Sequence, residues 1–181
     1  FVLISKQDGS ITKEIKIPFK EKKLLQQRKQ DGENTFTVSP GPYRTIIPFK
    51  GDWMLLEFSS DTVYSLLPDY SFRPFLVRTP PIESMDPEVF LLLRFLSDRY
   101  IFMETIKNVF DWTADSGFPK TFLMYDMQEK SFFRYGVYNG DYSTKQEIYM
   151  NALRPVNHEI ESWQPLDAHR LVTAYEKDQL K

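Results

Sequence analysis

A hairpin pattern that recurs about every sixty residues is the feature that most constrains the fold of this chain. Three segments carry the pattern, each with two β-branched or aromatic-rich runs joined by a short polar turn: 1–17, 62–78 and 121–135. Leu3, Tyr64 and Met124 hold the same place in the three hairpins, at separations of 61 and 60 residues. A period of this size predicts a chain built from repeated supersecondary units.

A second pair of strands precedes each of the last two hairpins. The sequence predicts these strands at 44–49, 53–58, 89–96 and 100–106. Each unit then becomes a four-stranded antiparallel meander, which is the blade of a β-propeller. The inner strands are nearly continuous apolar runs, as expected of strands that are covered on both faces. We therefore predict an all-β fold, a partial β-propeller of about three four-stranded antiparallel blades.

The length of 181 residues suits one β-propeller-like domain that occupies the whole chain. Its expected parts are part of a blade at 1–19, blades at 44–78 and 89–135, and the start of a further blade at 160–175. Because the chain begins at Phe1, inside a strand-like run, we expect it to be a fragment of a longer propeller. Residues 21–28, with Leu24 and Leu25 in a basic stretch, are predicted to form a solvated connector, and a short helix is the alternative.

The charge and composition of the chain indicate which classes of partner it lacks the sequence features to bind. The formal net charge is −2, so no electrostatic footprint for nucleic acid is present. Five basic residues cluster locally, and we interpret them as a solvated loop: Lys20, Lys22, Lys23, Arg28 and Lys29. The longest apolar run, 89–96, is interrupted by Arg94 and is too short to span a bilayer, and we expect no signal peptide within these 181 residues.

Several chemical motifs are missing from the sequence. Without cysteine, the chain has no disulfide, no thiolate nucleophile and no cysteine-ligated zinc. It has no glycine-rich phosphate loop, no H-E-x-x-H spacing and no G-x-S-x-G elbow. The two histidines, His158 and His169, lie eleven residues apart, which is not a metal-ligand spacing. We predict neither a metal nor a cofactor.

Residues 60–64, Ser-Asp-Thr-Val-Tyr, carry a resemblance to a known family. They resemble the D-T-V-Y strand of six-bladed β-propeller proteins of unknown function, which Bacteroides and related bacteria carry, often as lipoproteins. In that family a turn and a strand with proline and aromatics follow, and here Pro74 and Phe75 occupy that strand. Residues 121–135 resemble the outer pair of the next blade, and 171–180 resemble the late strand and helix start. The resemblance runs from about Phe36 onward and implies export to the periplasm or the cell surface.

The blade pattern also predicts a binding face. Connections in a meander alternate between the two ends of the sheet, so the long connections should gather at one end. These long connections are 20–43, 79–88, 107–120 and 136–160. Long loops on a rigid scaffold are the usual place for binding residues.

Six residues in or near these loops are candidates for ligand binding: Asp111, Trp112, Asp115, Tyr138, Tyr142 and Trp163. Aromatic rings can stack on sugar faces, and neighbouring carboxylates can accept hydrogen bonds from sugar hydroxyls. The structural interpretation is that the acids cap turns and the rings seal the blades. Outside these loops, we interpret Asp61 as a turn acid that opens its strand and Tyr64 as packing between blades.

Three functional hypotheses follow. The first is a non-catalytic binding or scaffold module whose long-loop face holds a glycan, a peptide or a partner protein. The alternative is a carbohydrate-active enzyme that uses loop carboxylates, for which Asp111 with Asp115, or Glu104, would have to reach glycosidase spacing. The third is a role in assembly, because about three blades cannot close a ring. Missing blades, or a second copy of the chain, would then cover the open blade faces.

Overall fold

The computed structural model describes residues 1–41 and 43–136, together with the backbone of 138–139 and 146–147. Apart from a single 3-10 turn at Ile82–Ser84, the regular structure of this described part is β-strand. The strands are β1 (Val2–Ile4), β2 (Ile11–Glu14), β3 (Gln27–Asp31), β4 (Asn34–Val38), β5 (Ile46–Phe49), β6 (Asp52–Leu55), β7 (Thr62–Leu66), β8 (Phe72–Val77), β9 (Val89–Leu96), β10 (Tyr100–Lys107), β11 (Phe110–Asp111), β12 (Ser116–Gly117), β13 (Lys120–Asp126), β14 (Ser131–Arg134), β15 (Tyr138–Asn139) and β16 (Gln146–Glu147). The predicted all-β class is confirmed.

Two four-stranded antiparallel sheets form the body of the described chain. We call β5-β6-β7-β8 the first meander and β9-β10-β13-β14 the second meander, which is interrupted only by the small β11–β12 hairpin. Tyr64 lies in the third strand of the first meander, opposite Leu55, and Met124 lies in the third strand of the second, opposite Phe102. The repeat predicted from these two positions is therefore confirmed at the level of the four-stranded sheets.

The strand ends differ from the sequence prediction by a few residues. The run predicted at 44–49 pairs only from Ile46, and the run predicted at 53–58 stops pairing at Leu55. Tyr70, within the hairpin predicted at 62–78, lies in the β7–β8 turn with a φ of 64°, a left-handed conformation that a strand does not use. β8 is an edge strand, which suits Pro74 because proline has no N–H to donate to a further strand.

The two meanders pack against each other through the largest apolar cluster. Its buried members are Leu25, Ile47, Met54, Leu56, Val63, Ile82, Phe90, Leu92, Leu93, Leu96, Ile101, Met103, Ile106 and Phe118. Both meanders contribute to this cluster, and the connections around them supply further apolar side chains. Burial of this area from water supplies the main free energy that holds the two sheets together.

Each meander also buries apolar residues on its other face. On the first meander these pack with the segment around β1 and β2, in a cluster of Ile15, Ile17, Leu55 and Leu66. On the second meander the corresponding cluster is Phe95, Tyr100, Phe102 and Met124. Burial on two faces explains the nearly continuous apolar runs of the inner strands. Trp53 is the exception, because 49% of it is exposed.

Residues 21–28 do not form the alternative short helix, and the predicted connector is not solvated along its whole length. Leu25 is 8% exposed and belongs to the main apolar cluster, whereas its neighbour Leu24 is 50% exposed. From Gln27 the chain forms the β3–β4 hairpin, which the sequence prediction missed. The hairpin turns through Gly32 with a φ of 60°, as a two-residue hairpin loop requires. Nearly every residue of the hairpin is exposed, so its sequence lacks the apolar alternation that marks a half-buried strand.

No helix in the described residues is long and apolar enough to cross a bilayer.

Candidate functional site

The connections between strands separate into two groups at opposite ends of the meanders. The short turns lie at one end, where Lys50 of the β5–β6 turn pairs with Asp98 of the β9–β10 turn at 2.9 Å. The longer connections lie at the other end, which we call the loop end. Contacts within the loop end show which of the connections meet.

A basic segment, residues 20–23, links three acids of the loop end. The Nζ atom of Lys20 lies 2.7 Å from Glu83 Oε1, and that of Lys22 lies 2.6 Å from Glu57 Oε1. The Nζ atom of Lys23 lies 3.1 Å from Glu88 Oε1. The lysines were predicted to be part of a solvated loop. Lys20 and Lys22 are solvent-exposed as predicted, at 78% and 54% of their side chains, whereas Lys23 is only 19% exposed.

Asn108 joins the same group of loops at a buried position. Its side-chain Nδ2 donates to the backbone oxygen of Leu24 at 3.1 Å and to Glu88 Oε2 at 3.0 Å. Its backbone oxygen accepts a hydrogen bond of 2.6 Å from the side chain of Gln27. The connections predicted at 20–43, 79–88 and 107–120 therefore meet at the loop end. The fourth predicted connection, 136–160, lies almost wholly outside the described residues.

A cleft of about 180 Å³ opens at the loop end between three segments of the chain. Its lining residues are Pro18, Phe19, Lys20, Glu21, Lys23, Ser59, Ser60, Asp61, Thr62, Tyr64, Ile82 and Glu83. The cleft is large enough for a small ring or a single side chain.

The 60–64 motif forms one wall of this cleft. Ser60, Asp61, Thr62 and Tyr64 line it, whereas Val63 is 2% exposed and packs in the main apolar cluster. The strand alternation of β7 thus separates a core residue from its cleft-lining neighbours. The sequence interpretation gave Asp61 and Tyr64 structural roles and did not place them at a binding site. The signal that could have revealed the site is a polar-apolar-aromatic alternation beside a turn.

The charges around the cleft are paired with one another. Lys20 bonds to Glu83, which raises the pKa of Lys20, and Lys23 bonds to Glu21, which lowers the pKa of that acid. Asp61 accepts hydrogen bonds from the guanidinium of Arg78. The cleft therefore presents polar groups without an uncompensated charge.

The predicted binding residues of the third loop have internal contacts. Asp111 accepts hydrogen bonds from the backbone N–H groups of Ala114 at 3.1 Å and Thr113 at 2.8 Å, and these bonds lower its pKa. The ring of Trp112 packs edge-on against Phe110, with centroids 5.0 Å apart. Asp115 follows in the left-handed region with a φ of 47°. The contacts agree with the turn-capping and packing interpretation for Asp111 and Trp112, and ligand binding by these residues stays a prediction.

The remaining predicted residues are not placed at the site. Tyr138 lies in β15, which pairs with β16, and its side chain is outside the described part of the chain. Tyr142 and Trp163 also lie outside the described residues.

Glu104, a candidate acid for the enzyme alternative, is fully buried in β10. Its carboxylate bonds to the guanidinium of Arg94 and lies 3.3 Å from Lys120 Nζ. The Arg94 guanidinium and the Lys120 ammonium both lie over the ring of Tyr43, at 5.2 and 5.9 Å from its centroid. A carboxylate held by two cations away from solvent has a structural role in this arrangement.

Within residues 1–41 and 43–136, no group of three or more histidine, aspartate or glutamate side chains converges as a metal site would require. Comparison with family models, with curated proteins and with solved structures returned no match to this chain.

Proposed function

We propose that this chain is a non-catalytic binding or scaffold module of an exported bacterial propeller protein, and that its ligand face is the loop end. The observation that carries this proposal is the convergence of three long connections at one end of two packed sheets, held by Lys20, Lys23 and Asn108. Loops held on a rigid β scaffold are suited to present a fixed binding surface. The proposed ligands are a glycan, a peptide or a partner protein.

The partial propeller is supported by the architecture of the two meanders. Each is a four-stranded antiparallel sheet, both contribute side chains to the main apolar cluster, and a further hairpin packs beside the first meander. Stacked meanders of this type are the blades of a propeller. The resemblance of residues 60–64 to the six-bladed family supports export and a place in the periplasm or at the cell surface.

The binding role is favoured over glycoside hydrolysis because the acids near the loop end are already engaged. Asp61 holds Arg78, Asp111 caps its own turn, and Glu104 is buried between Arg94 and Lys120. A glycosidase needs two carboxyl groups that face a common cleft, about 5–5.5 Å or about 6.5–9.5 Å apart. The cleft residues described here do not offer such a pair of unengaged acids.

Binding arrays test the proposal directly. The full chain is applied to glycan and peptide arrays, and the ligands it retains are tested with Trp112→Ala and with Trp53→Ala as the matched control. Trp112 belongs to a long connection, whereas Trp53 lies in a sheet strand. We expect ligands that contact the third loop to be lost only with Trp112→Ala. Absence of any binder at about millimolar concentration contradicts the proposal, and turnover of a glycan supports the enzyme alternative.

We also propose that the open blade faces are covered, either by further blades or by a second copy of this chain. Apolar residues of the outer strands are exposed, among them Val77 of β8 and Phe132 of β14. Exposed apolar area of this kind favours association when it forms a continuous patch. Small-angle scattering of the 181-residue chain tests this point, and a strictly monomeric compact particle contradicts it.

A further inference from the structure

We infer that the cleft formed by residues 18–23, 59–64 and 82–83 binds a neutral ring of monosaccharide size, such as the terminal sugar of a glycan. This inference rests on the proposed function of the loop end and narrows it to one pocket and one class of ligand.

The hydroxyl groups of the cleft are the first observation. Tyr64 and Thr62 line the cleft, and within the described part of the chain their side-chain oxygens form no hydrogen bond. The ring of Tyr64 is held by edge-on packing against Phe72, with centroids 5.2 Å apart and an interplanar angle of 88°. Because packing already fixes this ring, a ligand that contacts Tyr64 does not have to immobilise a free side chain, and little side-chain entropy is lost on binding.

The charge balance of the cleft is the second observation. Lys20 is paired with Glu83, Lys23 with Glu21 and Glu88, and Asp61 with Arg78. An anionic or cationic ligand would have to compete with an existing ion pair. A neutral polyhydroxylated ligand would not, because hydroxyl groups can donate to the carboxylates and accept from the ammonium groups without breaking the pairs.

Shape and apolar surface are the third observation. Pro18 and Phe19 line the cleft beside the polar groups, and Phe19 is partly exposed. Sugar rings combine hydroxyl edges with apolar C–H faces, so a site for them needs both kinds of surface. The volume of about 180 Å³ suits one ring and leaves any longer chain outside the cleft.

Saturation-transfer NMR on the full chain tests this assignment. The probes are glucose, galactose, mannose and N-acetylglucosamine, with glucuronate and glucosamine as charged counterparts and tetraalanine as a peptide. We expect saturation of at least one neutral sugar, with weaker signals from the charged counterparts. Tyr64→Phe removes only the hydroxyl and should weaken binding about threefold to tenfold, which is the effect of one lost hydrogen bond.

Two further variants keep the test specific. Tyr70→Phe is the matched control, because Tyr70 is an exposed tyrosine in a short turn at the opposite end, and it should bind as the wild type does. Thr62→Tyr puts a bulky side chain into the lining of the cleft and should abolish the sugar signal. Circular dichroism of this variant checks that the fold is unchanged.

Three results overturn the inference: no neutral sugar is saturated, a charged counterpart binds more tightly than its neutral relative, or Tyr64→Phe and Thr62→Tyr both bind as the wild type does. The failure of the inference is distinguishable from failure of the proposed function. One outcome is a peptide or glycan ligand that is lost in Trp112→Ala but binds to Tyr64→Phe and Thr62→Tyr as it does to the wild type. This outcome overturns the sugar pocket and leaves the loop end as the ligand face. Absence of every ligand overturns both.

Discussion

The carboxylate of Asp61 holds the guanidinium of Arg78 at the loop end of the first meander. Its Oδ1 atom accepts from Arg78 Nε at 3.1 Å and from the backbone N–H of Ile82 at 2.8 Å. Arg78 also donates to the backbone oxygen of Val89 at 2.6 Å. Asp61, which directly precedes β7, thus contacts the connection between the two meanders at Ile82. Through Arg78 it also fixes the position of Val89, the first residue of β9.

Replacing Asp61 with asparagine should destabilise the fold. Asparagine keeps an oxygen acceptor but not the negative charge, so the hydrogen bonds from Arg78 lose about half of the ~1.5–3 kcal/mol that each charge-assisted bond contributes. The free energy of unfolding, measured by urea denaturation, should fall by about that amount. Asp98→Asn is the matched control, because the Lys50–Asp98 pair is solvent-exposed at both side chains and should change stability by less than about 1 kcal/mol. Equal midpoints for the two variants would falsify the structural role of Asp61.

Two adjacent leucines in the connector before β3 differ in burial and should therefore differ in their contribution to stability. Leu25→Ala should lower the free energy of unfolding by about 2–5 kcal/mol, because it leaves a cavity in the main apolar cluster. Leu24→Ala removes a side chain of the same size from a half-exposed position and should change stability by no more than about 0.5 kcal/mol. Chemical denaturation of both variants measures the difference. If the two losses are similar, Leu25 is not a core residue.

The two meanders could be predicted from the sequence because their strands bury apolar side chains in a regular order. Leu92 lies inside an apolar run of strand length, Val63 lies inside a β-branched and aromatic run, and the turns between the strands are short and polar. The β3–β4 hairpin could not be found in this way, since its side chains face solvent and no burial pattern constrains them. Its two strands are held together by backbone hydrogen bonds, and the side-chain pattern does not predict where those bonds form.

The candidate site depends on contacts between residues that are distant in the chain. Lys20 meets Glu83 across 63 positions, and Asn108 meets Leu24 across 84. Local patterns indicate which segments are loops, and strand alternation predicts which end of the sheet they occupy. They do not indicate which acid a given lysine will reach. For this reason the loop end was predicted, whereas the cleft around Tyr64 was not.

Gly117 is a position where only a hydrogen side chain fits. A Cβ atom there would lie 2.6 Å from Phe110 Cα and 2.6 Å from the backbone oxygen of Val109. Backbone atoms cannot rotate away, so Gly117→Ala should separate β11 from β12 and cost about 1–3 kcal/mol of stability. Ser116→Ala, at the exposed neighbouring position, should stay within about 0.5 kcal/mol of the wild type. Thermal denaturation distinguishes the two, and a Gly117→Ala variant as stable as Ser116→Ala would argue against this close approach.

Asp126 should make stability depend on acid pH. The guanidinium of Arg99, which donates to Asp126 Oδ2 at 2.9 and 2.7 Å, holds the pKa of this carboxyl below its ordinary value of 3.8. A carboxyl whose pKa is lower in the folded than in the unfolded state stabilises the fold fully above the unfolded value, and this stabilisation is lost as the pH falls through the folded value. The wild type should therefore lose more stability than Asp126→Asn as the pH is lowered from 7 to below 3.8. Urea midpoints across this range test the prediction, and parallel curves for the two proteins would contradict it.

Glu104 should be the acid whose loss destabilises the second meander most. It is fully buried, and its removal leaves the guanidinium of Arg94 and the ammonium of Lys120 without their shared carboxylate. Breaking a buried pair in this way costs about 3–5 kcal/mol, so Glu104→Ala should approach that loss, whereas Glu129→Ala at an exposed turn should cost less than about 1 kcal/mol. A double-mutant cycle with Arg94→Met and Glu104→Met separates the pair from the packing of each side chain. The free energy of unfolding should fall by less in the double variant than the sum of the two single losses. The reason is that the double variant leaves neither member of the pair as an isolated buried charge. Strictly additive losses would show that Arg94 and Glu104 stabilise the sheet independently of each other.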